Sequence, residues 1–374
     1  MKRIKVLQVL NCVGGVEICV RQIVENIDSK QIENIVLSQN IDNKRKITDS
    51  EKQEIKHYEL TIQRKINILK DLFAIIKMTE IIKKEKPNLI HAHSAKAGAI
   101  ARIAALFFDV KILYTPHAFS FLSTNNYLKK KSFVFIERML KTNKTILLAT
   151  SKSERDLAIN VVGFSPSKVI VLNNAINPIN PQISISNKIK HKNYICTIGR
   201  PSYQKNTEML IEVFSLVQKQ YNKIHLYIIG AGEYSPNLNK INSLIIQKGL
   251  LDKITILPWI NREEAMAILK NSQLYVSTSR YEGMPYAVIE SLCLKTPCVL
   301  TNCDGNRDLI VHNKTGYLIN DMDQHKMSKK ICSLIEDKDK LIEFGKNGYR
   351  YYQKNHLLSN YIKKLTLHYN TFST

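Results

Sequence analysis

Ser277-Thr-Ser-Arg-Tyr-Glu-Gly-Met-Pro-Tyr-Ala-Val-Ile-Glu-Ser-Leu-Cys-Leu-Lys-Thr-Pro-Cys-Val299 decides how this chain reads. A strand over Gln273 to Ser277 enters a tight loop. Gly283 is expected to let that loop turn without Cβ strain. Pro285 fits the first helical position, where its missing N–H costs nothing. The pattern predicts a helix from Tyr286 to Leu294 and a new strand from Pro297 to Leu300. A strand–turn–helix–strand unit aims free backbone N–H groups, and the positive end of a helix, at whatever lies above the sheet. Glu282 sits in the turn, and Glu290 lies roughly 7 Å along the helix from Pro285. Carboxylates only accept hydrogen bonds, so they suit the paired hydroxyls of sugar rings. Two such acceptors beside an anion hole match the layout of a nucleotide sugar. A helix with two solvated glutamates would carry the same residues, so the stretch alone leaves both readings open.

At 374 residues, 44% of them apolar, the chain has material for two cores of ordinary size. The 55 basic and 32 acidic residues give a net charge of +23, spread over both halves. Such a surface favours anionic partners: nucleic acid, anionic membrane or phosphorylated substrates. Seven cysteines without a C-x-x-C pair predict reduced, mostly buried thiols of a cytoplasmic protein. Met1 to Leu10 opens with basic residues, but Gln8 and Asn11 break the apolar run, which reads as a first buried strand rather than a signal core. The apolar helix Ala97 to Phe108 contains Arg102 and is too short to span a bilayer, so membrane contact should be peripheral.

The remaining motifs fall at predicted strand ends. Asn11 to Gly15 joins the first strand and helix, where glycines admit a phosphate; G-x-G-x-x-G is absent, which argues against a dehydrogenase. Asn40 to Gln53 is polar and reads as a mobile loop. Ile66 to Lys84 reads as an amphipathic helix with apolar residues at Ile68, Leu69, Leu72, Phe73, Ile75, Ile76 and Met78. His91 is expected inside the core and His93 at a strand end, while His117 follows a proline at the next strand end, the edge where open parallel sheets bind ligands. His-x-His also suggests a metal, but no cysteine or carboxylate follows at ligand spacing, so none is expected. Asn126 to Leu140 reads as a helix whose Lys129, Lys130, Lys131 and Arg138 could face lipid headgroups and whose apolar side could face the core. In the second half, Arg200 and Lys205 flank a strand-to-helix loop and could both reach a diphosphate. Gly230 to Glu233 follows another strand. The organisation expected is α/β: residues 1–178 as one Rossmann-like domain, 179–192 as linker, 193–350 as a second, and 351–374 as a helical segment that could return to the first domain.

These motifs together resemble the retaining glycosyltransferases of family 4, which have the GT-B architecture of two Rossmann-like β/α domains facing each other across a cleft. The resemblance is carried by the Gly14-Gly15 loop, His91-Ala-His93, Tyr-Thr-Pro-His117, Val-Leu-Asn-Asn174-Ala-Ile-Asn, Gly-Arg200 with Lys205-Asn206, Ile-Gly-Ala-Gly232-Glu, and Glu282-Gly-Met-Pro-x4-Glu290. It implies catalytic roles for His117 and Glu282. It further implies that Gly15 admits the donor phosphates, that Arg200 and Lys205 neutralise the diphosphate, and that the backbone from Gly283 through Met284 and Pro285 to Tyr286 holds the donor sugar. Glu290 would bind the ribose. The chain departs from the family pattern at Ala175, Asn177, Trp259 and Lys295. His117-Ala-Phe119 resembles bacterial enzymes that extend lipid-linked sugars. The resemblance thus implies a metal-independent enzyme without a cofactor. Its partners would be a nucleotide-sugar donor (UDP favoured), an undecaprenyl-diphosphate-linked acceptor and the anionic inner membrane surface, with no nucleic acid. A nucleotide-sugar epimerase of the same fold, and a non-catalytic two-lobed sugar-binding protein, are the competing readings.

Overall fold

The computed structural model describes residues 3–11, 14–39, 46–63, 66–180, 182–183, 189–232 and 235–373. Cys12 and Glu233, and parts of the expected loop and linker, lie outside the described residues. The chain divides into two compact units: Met1–Asn174 with Leu358–Thr374, and Ala175–Leu357.

In the first unit strands and helices alternate: β1 (Ile4–Leu10), α1 (Gly15–Asn26), β2 (Ile32–Ser38), β3 (His57–Glu59), α2 (Ile68–Glu85), β4 (Leu89–His93), α3 (Ala95–Ala104), β5 (Lys111–Thr115), α4 (Tyr127–Met139), β6 (Thr145–Ala149), α5 (Lys152–Leu157) and β7 (Val169–Val171). The sheet order is β3-β2-β1-β4-β5-β6-β7, parallel throughout. Continuous apolar strands such as Val6-Leu7-Gln8-Val9-Leu10 are what a sheet covered on both faces requires. Ile35, Leu37, Ile90 and Ile112 meet Met78, Ile82 and Ile100 in one core.

Arg102, which interrupts the apolar run of α3, is buried and tied to Glu137 of α4 at 2.9 Å, and Tyr114 donates to the same carboxylate at 2.8 Å. This pair joins α3, α4 and β5. Removing one partner would strand a buried charge at a cost of about 3–5 kcal/mol.

Two helices of the first unit carry apolar residues that its core does not cover. In α2 the buried residues are Ala74, Met78, Ile81, Ile82 and Glu85. Ile68, Leu69, Leu72, Phe73 and Ile76 are instead exposed, from 50% to 80%. In α4 only Glu137 is buried, while Leu128, Phe135 and Met139 face outward. Helical spacing reports that apolar residues share a face; it does not report what covers that face.

The second unit runs β8 (Tyr194–Ile198), α6 (Thr207–Gln220), β9 (His225–Ile229), α7 (Leu238–Gln247), β10 (Ile254–Leu257), α8 (Arg262–Asn271), β11 (Tyr275–Ser277), α9 (Tyr286–Cys293), β12 (Cys298–Thr301), α10 (Asn306–Leu309), β13 (Gly316–Ile319), α11 (Gln324–Glu336) and α12 (Lys338–Asn355). Its sheet order is β10-β9-β8-β11-β12-β13, again parallel. Phe214, Leu226, Ile228, Val276, Val299 and Phe344 anchor its core. Truncating a residue such as Leu226 to alanine would cost about 2–5 kcal/mol. The last helix, α13 (Leu358–Phe372), belongs to the first unit and buries Leu358, Tyr361, Ile362, Leu365 and Tyr369, one stripe at helical spacing.

Both sheets reverse strand order once, between β1 and β4 and between β8 and β11. The carboxyl ends of strands beside such a reversal are where ligands bind in open α/β sheets.

Candidate functional site

At the reversal in the second unit, β8 ends on Ile198 and the chain turns through Gly199, whose φ is +152°. A Cβ there would lie 2.9 Å from Lys205 Cε, so the glycine leaves room for the lysine stem. Lys205 Nζ reaches Glu282 Oε1 at 2.7 Å, with the lysine side chain 25% exposed and the glutamate 7%. Ser279 Oγ donates to the same oxygen at 2.7 Å and Gln204 Nε2 to Oε2 at 3.0 Å. Thr278, just past β11, donates to the carbonyls of Lys205 and Asn206 and clamps the two loops together. Glu282 is therefore fixed by three donors rather than solvated.

The expected role of Gly283 falls to another residue. Gly283 is not among the positive-φ residues; Gly305, before α10, has φ +80°. A Cβ on Gly305 would sit 2.6 Å from Gly283 O and 2.9 Å from Glu282 Cβ. Glu282 N donates to Asp304 O at 3.1 Å, which closes this second loop onto the turn. Met284 is buried, and Pro285 is the N-cap of α9 (φ −72°, ψ 124°) rather than its first helical residue. No side chain caps α9.

Glu290, one turn into α9, is buried and meets Arg262 Nη2 of α8 at 2.7 Å. Burial pushes its carboxyl above the usual carboxylate value, and the Arg262 guanidinium opposes that push only in part. Arg262 was not singled out in the sequence, since a helix-start arginine has no spacing signal. Arg200 follows Gly199 in the β8–α6 loop and is half-buried. Trp259, past the end of β10, is 66% exposed, and a Cβ on Gly232 would lie 3.4 Å from its ring. The second unit thus gathers cations, two fixed carboxylates and one exposed indole at one sheet edge.

The first unit has its own polar edge. Gly14 (φ +76°) precedes α1, Gly15 is the first residue of the helix, and no side chain caps it. Its first N–H groups are left for an anion. His117, at the end of β5, has φ +52° and Ala118 has φ +86°. Two adjacent non-glycine residues at positive φ store strain that the surroundings must enforce. Glu154 of α5 does so, accepting from Ala118 N at 2.7 Å and Thr150 N at 2.6 Å. His93 Nδ1 and His117 Nε2 lie 3.2 Å apart, and His93 Nε2 meets Gln8 Oε1 at 3.0 Å. Burial lowers His117 to about 4 and His91 to about 3, and it holds His93 well below the ordinary histidine value, helped by the neighbouring imidazoles. All three are neutral at pH 7.

Cys19 of α1 also comes near: its Sγ and nitrogens of His93 and His117 lie within 4.8 Å of one another. The sequence spacing did not show this thiol, because α1 brings it in from outside the His-x-His stretch. The two imidazoles already bond each other. The six described cysteines are free and buried. Among the described residues, no helix is long and apolar enough to cross a membrane.

Comparison with known proteins matches both halves of the chain. Residues 13–179 match the family model "Glycosyltransferase Family 4", and residues 179–351 match "Glycosyl transferases group 1". The chain is 30% identical over 280 residues to the UDP-Gal:alpha-D-GlcNAc-diphosphoundecaprenol alpha-1,3-galactosyltransferase of Escherichia coli, covering 70% of each chain. It is 25% identical over 345 residues to the capsular polysaccharide biosynthesis glycosyltransferase CapM of Staphylococcus aureus, covering 87% of this chain and 89% of that one. The structure of Anabaena HepE in complex with UDP-glucose superposes with a TM-score of 0.80 at 16% identity, over 99% of this chain and 100% of that one. With its two parallel sheets in GT-B form and both family domains in order, the chain belongs to glycosyltransferase family 4.

Proposed function

We propose that this glycosyltransferase moves a sugar from a UDP-sugar to a saccharide carried on undecaprenyl diphosphate, with retention of anomeric configuration and without a metal, in the synthesis of a surface polysaccharide. The observation that carries this reading is the Lys205–Glu282 pair, held at 2.7 Å at the carboxyl edge of a parallel sheet beside the uncapped start of α9. The names of the Escherichia coli and Staphylococcus aureus relatives support the acceptor and the pathway class. The UDP-glucose complex of a protein of the same fold supports UDP.

The chemistry follows from charge. In the reaction the bond from the sugar C1 to the β-phosphate oxygen breaks and the electron pair leaves with UDP. The acceptor oxygen attacks C1 on the same face, and the departing phosphate oxygen takes its proton. Negative charge grows on the diphosphate, so fixed cations and helix N-termini aimed there lower the barrier. Arg200 and Lys205 supply the cations, and Gly15, with the start of α1, supplies backbone N–H groups. Glu282 and the backbone from Gly283 to Tyr286, including Met284 and Pro285, hold the donor sugar. Glu290, paired with Arg262, accepts from the ribose hydroxyls. His117 contributes from the first unit, where its strained backbone is the mark of a functional position. The exposed indole of Trp259 stacks on the base.

The enzyme works at the inner face of the cell membrane, docked through α2 and α4. Ile68, Leu69, Leu72, Phe73 and Ile76 form an exposed apolar stripe, and Lys129, Lys130 and Lys131 supply positive charge for anionic headgroups.

The test is proton NMR of the product formed from a UDP-α-sugar and a short-chain lipid-diphosphate acceptor in the presence of EDTA. An α-linked product at undiminished rate is expected. A β-linked product removes the retaining mechanism, and loss of turnover with EDTA, restored by a divalent cation, removes metal independence.

A further inference from the structure

The buried imidazoles of His91 and His93 and the half-buried one of His117 belong to a directed row of hydrogen bonds. Gln8 Nε2 uses both of its hydrogens, one toward Asn34 Oδ1 at 2.8 Å and one toward Tyr369 Oη at 2.9 Å. Its Oε1 can only accept, so His93 Nε2, at 3.0 Å, carries a proton. His93 is buried and neutral, so its Nδ1 is bare. His117 Nε2, 3.2 Å away, must then be the donor. A neutral His117 that is protonated on Nε2 keeps a lone pair on Nδ1. Among the described residues no hydrogen-bond partner meets that nitrogen. The other branch is equally directed: Tyr369, having accepted from Gln8, donates to His91 Nδ1 at 2.7 Å, and His91 Nε2–H donates to Thr115 Oγ1 at 3.0 Å.

We propose that Gln8 and Tyr369 are positioning residues that hold His117 as its Nε2–H tautomer, so that Nδ1 stands as a hydrogen-bond acceptor for a substrate hydroxyl. The inference rests on the proposed role of His117 for its use, but not for its existence. If Gln8 were turned end for end, its Nε2–H would meet His93 Nε2 and every proton in that branch would move. His117 would then offer an N–H, a donor that cannot accept from a sugar or acceptor O–H. Asn34 Oδ1, which can only accept, sets the orientation of the amide, and the Tyr369 hydroxyl takes its second hydrogen and anchors it there. That hydroxyl is delivered by α13, the last helix of the chain, which packs on the first unit beside α1. The Cys19 Sγ to Tyr361 Oη contact at 3.8 Å belongs to the same packing.

Ring nitrogen-15 NMR of the full-length protein tests this without substrate. His117 is identified by the signals lost in His117→Gln. In the wild type a protonated Nε2 and a bare Nδ1 are expected. Tyr369→Phe removes one hydroxyl, and Gln8→Leu removes the amide; either should produce a second tautomer or reverse the first. Turnover in Tyr369→Phe should fall about tenfold, as for one mismatched hydrogen bond to substrate. A wild-type His117 protonated on Nδ1 overturns the proposal. So does a wild-type ring pattern retained in every variant that folds, and Tyr369→Phe keeps the test alive if Gln8→Leu does not fold. A reversed tautomer with full turnover upholds the positioning of the protons and instead removes His117 from the proposed reaction.

Discussion

Lys205 Nζ and Glu282 Oε1 lie 2.7 Å apart, with Ser279 and Gln204 completing the shell of the carboxylate. This shell aims the lysine and orients the glutamate. Lys205→Ala should lower kcat by about 10²–10³, the scale of losing one fixed stabiliser of developing charge. Glu282→Ala should lower it similarly and also destabilise the second unit, since it leaves Lys205 without its partner. Because the two act together, the double variant should cost much less than the sum of the singles. Steady-state rates and thermal melts of the three variants check this; additive losses would contradict it.

Trp259 is the sole tryptophan of the chain, which makes it its own reporter. Its exposed ring should be quenched on titration with UDP. Trp259→Ala should weaken UDP binding by about 1–3 kcal/mol, the value of one base stacked on an aromatic ring. Unchanged fluorescence at saturating UDP, measured beside a calorimetric titration that shows binding, would move the base elsewhere.

The lowered His91, His93 and His117 make the first unit sensitive to acid. Each binds fewer protons folded than unfolded, so stability falls as pH drops below the usual 6.5. For His117 the window ends at about 4, and its share is on the order of 3 kcal/mol. Denaturant unfolding from pH 7 to pH 4 should show this loss, with a smaller slope in His117→Gln. A slope unaffected by that substitution would contradict the assignment.

Leu69 and Phe73 lie on the exposed stripe of α2. Burying each in lipid would contribute about 1.5–3 kcal/mol. Leu69→Ser with Phe73→Ser should therefore reduce binding to anionic vesicles at least tenfold, leaving the melting temperature and the turnover of a soluble acceptor unchanged. Vesicle sedimentation reads the first quantity. Equal binding by wild type and variant would remove α2 from the membrane contact.

The alternation of strands and helices was legible along the chain, because buried parallel strands leave continuous apolar runs bounded by turn residues. So were Glu282 and Glu290, whose places on one turn and the following helix follow from local geometry. What covers a helix face was not legible: the apolar residues of α2 have helical spacing whether they meet a core or solvent. Nor was the Gly305 loop that closes on Glu282, since the pattern placed the conformational demand on the nearer Gly283. Tyr369 and Gln8 stand at opposite ends of the chain, and no local pattern connects them. Arg262 and Cys19 were hidden for the same reason: each meets its partner only through tertiary packing.

The most direct measurement is release of UDP from a panel of UDP-sugars by wild type and Glu282→Ala, with and without a lipid-diphosphate saccharide acceptor. One donor should give acceptor-dependent UDP release in the wild type, reduced at least a hundredfold in the variant. Equal release by the two proteins, or release of UDP that ignores the acceptor, would contradict the account.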